Sequence, residues 1–143
     1  MTVPAWASRY VGIPFVSGGR DASGCDCYGL VRLALAEQFG YRLPELSAEY
    51  QDALAIAEAE LTLKARLPLL AGTLLDKAEA GAVAVIRFQG RPSHIGIFVS
   101  ETHIMHTLVR IGAHIVRAES SPLRGGIQGV YRVHPRYRVT ASV

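Results

Sequence analysis

The stretch Gly24-Cys25-Asp26-Cys27-Tyr28-Gly29-Leu30-Val31 separates a polar, glycine-rich segment from an amphipathic one. Residues 17–26 contain three glycines and no apolar periodicity, which predicts a loop. From Cys27 to Phe39 the apolar residues recur with a period near 3.6, and Gly40 follows where a helix C-cap is expected. Asp26 occupies the N-cap position. The stretch therefore predicts a helix that begins at Cys27.

Cys27 at a helix start is a candidate nucleophile. The positive end of the helix dipole favours the thiolate, so we expect a lowered pKa for this thiol. Free N–H groups of the first turn, including that of Cys27, can stabilise an oxyanion. A free cysteine is also a common small core residue. Cys25 lacks the helix-terminal position and is expected to fill space in the loop, and a disulfide between Cys25 and Cys27 would be strained.

The rest of the chain predicts an α+β fold in a single domain of residues 1–143. A second helical tract begins near Ser47 and ends at about Leu70, where Pro68 and Gly72 terminate it. After Gly81 the pattern changes to short β-type runs with turn signals between them, including Gln89 to Pro92. Close spacing requires hairpins, so we expect an antiparallel sheet of about five strands. The runs are Ala82 to Phe88, His94 to Val99, Ile104 to Val109, His114 to Arg117 and Gln128 to Val133.

Composition limits the possible classes of function. The first residues do not resemble a signal peptide, and the longest apolar segment is too short to span a membrane, so we expect synthesis in the cytoplasm. Residues 83–143 carry eight arginines and two glutamates, whereas residues 1–82 carry seven basic and ten acidic side chains. A cationic half can attract an anionic polymer such as a bacterial wall. No aromatic or glycine-rich nucleic-acid motif accompanies the arginines, so we expect no nucleic-acid partner.

Five histidines are candidate bases for a cysteine nucleophile. His94 lies on the strand face opposite Ile95 and Ile97, and His106 shares a face with Ile104 on the next strand. The two imidazoles emerge on the same side only if the hairpin has an odd-length loop or a bulge near Ser100 to His103, and we predict one. The histidines expected to be exposed to solvent, in or beside turns or near the chain end, are His103, His114 and His134.

Four segments together resemble the NlpC-type cysteine peptidases, which are papain-like hydrolases of bacterial cell-wall peptides. The first two are Gly12 to Gly19 and Gly24 to Val31, and the others are His94 to Phe98 and His106. The similarity covers about residues 8–44 and 80–108. The phrase around Cys27, with Val31-Arg32-Leu33 and Leu43-Pro44, is most similar to the branch found in phage tail and prophage gene clusters.

The resemblance implies Cys27 as nucleophile, His94 as base and His106 as the residue that orients His94. It implies hydrolysis of peptidoglycan stem peptides, often between D-glutamate and a diamino acid, with no metal or organic cofactor. It also suggests phage tail proteins as partners and action at the host cell wall. The residues expected to bind substrate are Phe15, Gly19, Asp26, Tyr28 and Ser93.

Two positions depart from the family pattern. Many members carry a tyrosine where this chain has Phe15, so the hydroxyl that this tyrosine places near the nucleophile is lost. Ala82 replaces an aspartate, which we expect to affect a turn. Three alternatives remain open: an inactive module that binds wall peptides or tail proteins, acyl transfer on the same triad, and a zinc site. The zinc ligands would be Cys25, Cys27, His94 and His106.

Overall fold

The computed structural model describes residues 3–47, 56–120 and 123–139. It confirms an α+β fold in which helices precede an antiparallel sheet. The helical elements are a 3₁₀ helix at Ala5–Arg9, α1 (Cys27–Ala34) with a π-helical extension at Leu35–Phe39, α2 (Ile56–Leu70) and a 3₁₀ helix at Pro135–Tyr137. The strands are β1 (Arg20–Asp21), β2 (Gly24–Cys25), β3 (Ala71–Leu74), β4 (Val83–Phe88), β5 (Arg91–Phe98), β6 (His103–Leu108), β7 (Gly112–Arg117) and β8 (Ile127–Val133).

Six strands form the main sheet, in the order β3-β8-β4-β5-β6-β7, and every neighbouring pair is antiparallel. β1 and β2 form a separate hairpin. The sheet has one strand more than the five predicted, because β3 follows directly after α2 and pairs with β8. The apolar run from Leu67 to Leu75 thus belongs partly to α2 and partly to β3. Its hydrophobicity is continuous, so the sequence pattern does not show where the helix ends and the strand begins.

The predicted helix at Cys27 is confirmed at both ends. The Asp26 carboxylate accepts a hydrogen bond from the Gly29 N–H, and Gly40 ends the π-helical extension in the left-handed conformation at φ 75°. Gly29 must lack a side chain, because a Cβ there would clash with the carbonyl oxygen of Gly19. α1 therefore packs very close to the segment that precedes it.

The two faces of the sheet bury two separate apolar clusters. α1 contributes Leu30, Val31 and Ala34 to the first cluster, where they pack with alternate residues of β5 such as Ile95 and Ile97. The second cluster, on the other face, includes Ala84, Ile86, Phe98, Ile104 and Leu123. The side-chain alternation of β5 therefore decides which of its residues face α1.

Local details differ from the sequence predictions in two places. The predicted loop of residues 17–26 contains the β1–β2 hairpin, which is too short to leave a periodic pattern. The predicted turn at Gln89 to Pro92 is only two residues long, because Gln89 and Gly90 both have positive φ and Arg91 already belongs to β5. The predicted start of the second helix near Ser47 is followed by residues outside the described ranges. None of the helices within those ranges is long and apolar enough to cross a membrane.

Candidate active site

The start of α1 is held in place by the buried carboxylate of Asp26. This side chain is 0% exposed and accepts hydrogen bonds from the backbone N–H groups of Gly18 and Gly29. Its Oδ1 also forms an ion pair of 2.8 Å with Nη1 of Arg20. The carboxylate thus joins the loop before the helix to the first helical turn, and this rigidity positions the adjacent Cys27.

Cys27 is half-buried at the first position of α1, beside a cleft between α2 and the sheet. Burial, followed by the charge of Asp26, raises the pKa of the Cys27 thiol to about 11, although hydrogen bonding to the backbone of Ile95 and Tyr28 acts in the opposite direction. The prediction of a lowered pKa was therefore wrong, because desolvation of the thiolate and the charge of Asp26 together outweigh the backbone hydrogen bonds and the charge of Arg20, which lower the pKa. At neutral pH the group is a thiol.

His94 and His106 lie on the same face of the sheet, as the sequence predicted. β5 and β6 pair at Ile97 with Met105 and at Phe98 with Ile104, and the Val99 N–H donates to the His103 carbonyl at 2.9 Å. Three residues, 100–102, form the loop between Val99 and His103. The predicted odd-length connection is confirmed, and it is the reason that the two imidazoles share a face.

The two imidazoles are in direct contact. Nε2 of His94 lies 2.9 Å from Nδ1 of His106, so one of these nitrogens donates a hydrogen bond to the other. Burial, followed by the charge of the nearby His114, lowers the pKa of His94 to about 4. Burial, then His94 and His114, lower the pKa of His106 to about 3. Both imidazoles are therefore neutral at pH 7, and Nδ1 of His94 is not used by the contact with His106.

The nucleophile candidate and the histidine pair are neighbours but are not hydrogen-bonded. Ile95, whose backbone interacts with the Cys27 thiol, directly follows His94. Among the described residues, no hydrogen bond connects the thiol to His94 or His106, and Ile95 faces α1 whereas His94 lies on the alternate face. Over the same residues, the pairing of β5 with β6 ends at Ile97, so it does not extend to His94.

The cleft beside Cys27 has walls that are mostly apolar. α1, α2 and four strands of the main sheet contribute to it. The polar side chains along the cleft are few, and most of the surface comes from leucine, valine and alanine. The lining residues include Cys27, Tyr28, Val31, Leu43, Leu46, Thr62, Leu63, Arg66, Leu67, Val83, Ser93, Ile95 and Tyr131.

Three of the five residues predicted to bind substrate line this cleft, namely Asp26, Tyr28 and Ser93. Tyr28 donates a hydrogen bond of 2.6 Å to the Pro44 carbonyl, and its ring faces the cleft and the Arg20 guanidinium. Ser93 is buried, and its hydroxyl donates to the Arg91 carbonyl at 3.3 Å.

Asp26 and the other two predicted binding residues are held by the surrounding backbone. The Asp26 carboxylate is fully buried and accepts from the protein's own N–H groups and from Arg20, and substrate binding by Asp26 stays a prediction. Gly19 touches α1, and a Cβ at this position would clash with the Gly24 carbonyl. Phe15 is half-buried and forms a single β-bridge with Cys25. Ala82 lies in a turn, as expected, where its N–H donates to the Glu79 carbonyl.

The prediction that His114 is exposed to solvent was wrong, because this residue is half-buried. It lies within β7 directly opposite His106, and the two ring centroids are 4.4 Å apart. The parity argument that grouped His94 with His106 would have found it, because residues 106 and 114 also have an even sum. His103 and His134 are half-buried rather than exposed, and they form local contacts with Thr102 and with Arg136.

The four residues of the zinc alternative are not gathered around one point. Cys25 is 1% exposed, and its thiol donates to the Asp21 carbonyl at 3.1 Å, which confirms its role in packing. In the described part of the chain, no group of three or more histidine, cysteine, aspartate or glutamate residues is arranged to hold a metal ion. Both cysteines are free.

Comparison with known protein families identifies one that covers most of the chain. Residues 12–123 match the sequence model of the NlpC/P60 family. The matched range includes α1, α2 and β1 to β7, and it therefore contains Cys27 and both histidines of the pair. Among curated protein sequences, none matches the chain significantly.

Solved structures with similar folds belong to NlpC/P60 proteins. One is an NlpC/P60 family protein from Bacillus cereus, with a TM-score of 0.62 and 15% identity over 90% of this chain. Another is the NlpC/P60 domain of the peptidoglycan hydrolase SagA, with a TM-score of 0.58 and 20% identity over 89% of this chain. A third, from Staphylococcus aureus and described as similar to a lipoprotein, has the same TM-score, identity and coverage. The chain spans 92% of the SagA domain but only 38% of each of the other two proteins.

Proposed function

Because the chain belongs to the NlpC/P60 family, which includes peptidoglycan hydrolases, we propose that it is a cysteine endopeptidase that cleaves peptidoglycan stem peptides. The proposed nucleophile is Cys27, the base is His94 and the residue that orients His94 is His106. The observation that carries the proposal is the 2.9 Å contact between Nε2 of His94 and Nδ1 of His106, on the strand that also lines the cleft of Cys27.

The neutral state of both partners defines the first chemical step. With Nε2–H of His94 donating to His106, Nδ1 of His94 has a free lone pair and can accept a proton. As the Cys27 sulfur attacks the peptide carbonyl, its proton passes to this Nδ1, so the thiolate never has to exist alone in the cleft. The pKa of about 11 for Cys27 makes this general-base route more favourable than a preformed ion pair.

The attack gives a tetrahedral intermediate, whose oxyanion is stabilised by the backbone N–H of Cys27 at the start of α1. This intermediate then collapses to a thioester. The imidazolium of His94 returns its proton to the departing amine, which leaves as the C–N bond breaks. Water, deprotonated by His94, attacks the thioester and releases the carboxylic acid and the Cys27 thiol.

Proton transfer requires contact between the Cys27 thiol and the His94 imidazole, and among the described residues no hydrogen bond joins them. Catalytic hydrogen bonds are often long or poorly aligned without substrate and shorten in the complex. Contact requires the Cys27 sulfur to leave the backbone of Ile95 and the two side chains to approach each other at the start of β5, because Ile95 faces α1 and His94 does not. We propose that a bound peptide carbonyl favours this arrangement.

The proposed substrate is the stem peptide, cleaved between D-glutamate and the diamino acid, and the proposed setting is a phage tail that acts on the host wall. The first part follows from the similarity to cell-wall hydrolases. The second follows from the sequence around Cys27, including Val31, Arg32 and Leu33. The arginine-rich segment of residues 83–143 fits an anionic wall polymer by charge.

A test compares the wild-type protein with two cysteine variants. Muropeptides are incubated with wild type, Cys27→Ala and Cys25→Ser, and the products are identified by mass spectrometry. We expect the same new peptide fragments from wild type and Cys25→Ser, and none from Cys27→Ala. The fragment masses identify the bond. Fragments from Cys27→Ala would contradict the proposal.

Two observations favour a second function, in which the domain binds wall peptides or tail proteins without cleaving them. The Cys27 thiol has a raised pKa, and Phe15 lacks the hydroxyl found in many relatives. If wild type binds muropeptides but leaves them intact, and iodoacetamide modifies Cys27 no faster than free cysteine, the binding function replaces the enzymatic one. Transfer of the acyl group to an added amine would instead identify the acyltransferase alternative.

A further inference from the structure

The hydrogen bond between His94 and His106 needs a specific arrangement of protons. For Nδ1 of His94 to accept the Cys27 proton, Nε2–H of His94 must donate to Nδ1 of His106. His106 must then carry its own hydrogen on Nε2. The opposite arrangement places the hydrogen on Nδ1 of His94 and removes the base. The tautomer of His106 therefore decides whether His94 is competent in the proposed reaction, and the orientation of the His106 ring keeps Nδ1 within hydrogen-bond distance of Nε2 of His94.

No hydrogen bond on the other nitrogen holds this orientation. His106 is 1% exposed, and among the described residues its Nε2 has no hydrogen-bond partner. Histidines that orient a reactive group usually have a second polar contact that fixes the ring. Here the restraint must come from packing.

His114 provides the packing on the β7 side. The two residues are direct cross-strand partners, and their ring centroids are 4.4 Å apart with an angle of 51° between the ring planes. Aromatic pairs at this distance and tilt have a preferred geometry in addition to their buried area. A side chain of equal volume without a ring would fill the space but would not define a plane.

The ring of His114 is itself anchored. Its Nδ1 lies 2.8 Å from the Gly112 carbonyl, and because a carbonyl only accepts, Nδ1 must carry the hydrogen. Gly112 is fixed in turn, since its φ of 78° and the close approach of the Ile13 carbonyl both exclude a side chain. Two further backbone hydrogen bonds connect Gly12 and Ile13 to Ala113. The start of β7 is therefore a rigid support for His114.

We propose that His114 is a positioning residue that holds the ring of His106 in the orientation required for His94 to act as a base. This inference rests on the proposed function of Cys27, His94 and His106. The Gly112 carbonyl fixes His114, His114 fixes the plane of His106, and His106 accepts the hydrogen bond of His94. His114 itself takes no proton from the substrate.

The test compares two replacements of similar size. His114→Phe keeps an aromatic ring but loses the hydrogen bond to Gly112, whereas His114→Leu loses the ring as well. We expect His114→Leu to lower kcat for muropeptide cleavage about tenfold with KM unchanged, and His114→Phe to lower it about threefold. His103→Leu is the control and should retain wild-type kcat, because His103 lies on β6 but is not in contact with the rings of His94, His106 and His114.

A second readout is independent of peptide cleavage. Long-range ¹H–¹⁵N NMR spectra at pH 7 report which nitrogen of His106 carries the hydrogen. We expect the hydrogen on Nε2 in wild type and His114→Phe, and a mixture of both forms in His114→Leu. If wild type cleaves no peptide, this spectrum still tests the positioning role, so the two proposals fail separately.

Three outcomes would overturn the inference. The first is a His114→Leu variant that has the same kcat as the wild type. If the wild type is inactive, the corresponding outcome is a His114→Leu variant with the same NMR spectrum as the wild type. The second is an equal loss in His114→Leu and His114→Phe. If His114→Leu does not fold, His114→Phe is tested instead. The third outcome is then an NMR spectrum of His114→Phe in which His106 carries its hydrogen on Nδ1.

Discussion

The start of α1 and the histidine cluster on β5, β6 and β7 both bury polar side chains, but they pair them differently. At the helix start, the Asp26 carboxylate accepts from two backbone N–H groups and from Arg20. In the cluster, His106 uses one nitrogen and leaves the other without a hydrogen-bond partner among the described residues. A buried polar atom without a hydrogen-bond partner costs about 1–3 kcal/mol, so the histidine cluster is less stabilising than the helix start.

This difference corresponds to the roles proposed for the two regions. The helix start has only to stay in place, and a charged residue with several partners does this well. In the proposed reaction His94 has to accept a proton from the thiol. Its imidazole must therefore be neutral beforehand and become an imidazolium only as the thiol attacks. Variants of each region should therefore affect different properties of the protein.

The largest expected effect is on activity and arises in the cluster. His94→Gln removes the base and should lower kcat about a thousandfold, whereas His106→Gln removes only its orientation and should lower kcat about a hundredfold. Steady-state cleavage of muropeptides measures both. The control is His134→Gln, at the N-cap of the 3₁₀ helix near the end of the described residues. If His106→Gln cleaves at the wild-type rate, the contact with His94 has no catalytic part.

The next effect is on stability and arises at the helix start. Asp26→Asn keeps the shape of the side chain but removes the buried negative charge that pairs with the largely buried Arg20 guanidinium, which should lower the free energy of unfolding by about 3 kcal/mol. Urea denaturation measures this change. Asp21→Asn is the matched control, since its exposed carboxylate bonds only to Ser23 among the described residues and should cause no resolvable change. Equal stability of the two variants would show that the Asp26 network is not a structural clamp.

The smallest expected effect is a pH dependence that belongs to the cluster. The pKa values of His94 and His106 fall from 6.5 to about 4 and about 3 on folding, so the unfolded chain binds protons at higher pH than the native one. The contribution of these imidazoles to the free energy of unfolding is therefore complete above pH 6.5 and decreases as the pH falls toward 4, by about 2 kcal/mol for each imidazole between pH 7 and pH 5.

Urea denaturation at several pH values measures this slope. The double variant with His94→Gln and His106→Gln should show a flatter dependence between pH 7 and pH 5 than the wild-type protein. His134→Gln again serves as the control, with a slope equal to that of wild type. An unchanged slope in the double variant would mean that the two imidazoles are not the groups that bind protons on unfolding.

Much of the framework could be read from local signals. The N-cap at Asp26, the period of residues 27–39 and Gly40 were sufficient for α1, because capping and amphipathicity depend on residues close in the chain. The shared face of His94 and His106 followed from strand alternation and loop parity. The β1–β2 hairpin and β3 were missed, because strands of two to four residues leave no periodic trace and depend on their partners.

Signals along the chain determined the helix start at Cys27 and the shared face of His94 and His106, and the family resemblance added their proposed catalytic roles. Only the folded structure decided that burial raises the pKa of the Cys27 thiol, that the Asp26 carboxylate is buried against Arg20, and that His114 lies against His106. The physical reason is that dipoles, caps and alternation are set by neighbours along the chain. Desolvation and ring contacts are set by groups that folding brings together from distant segments.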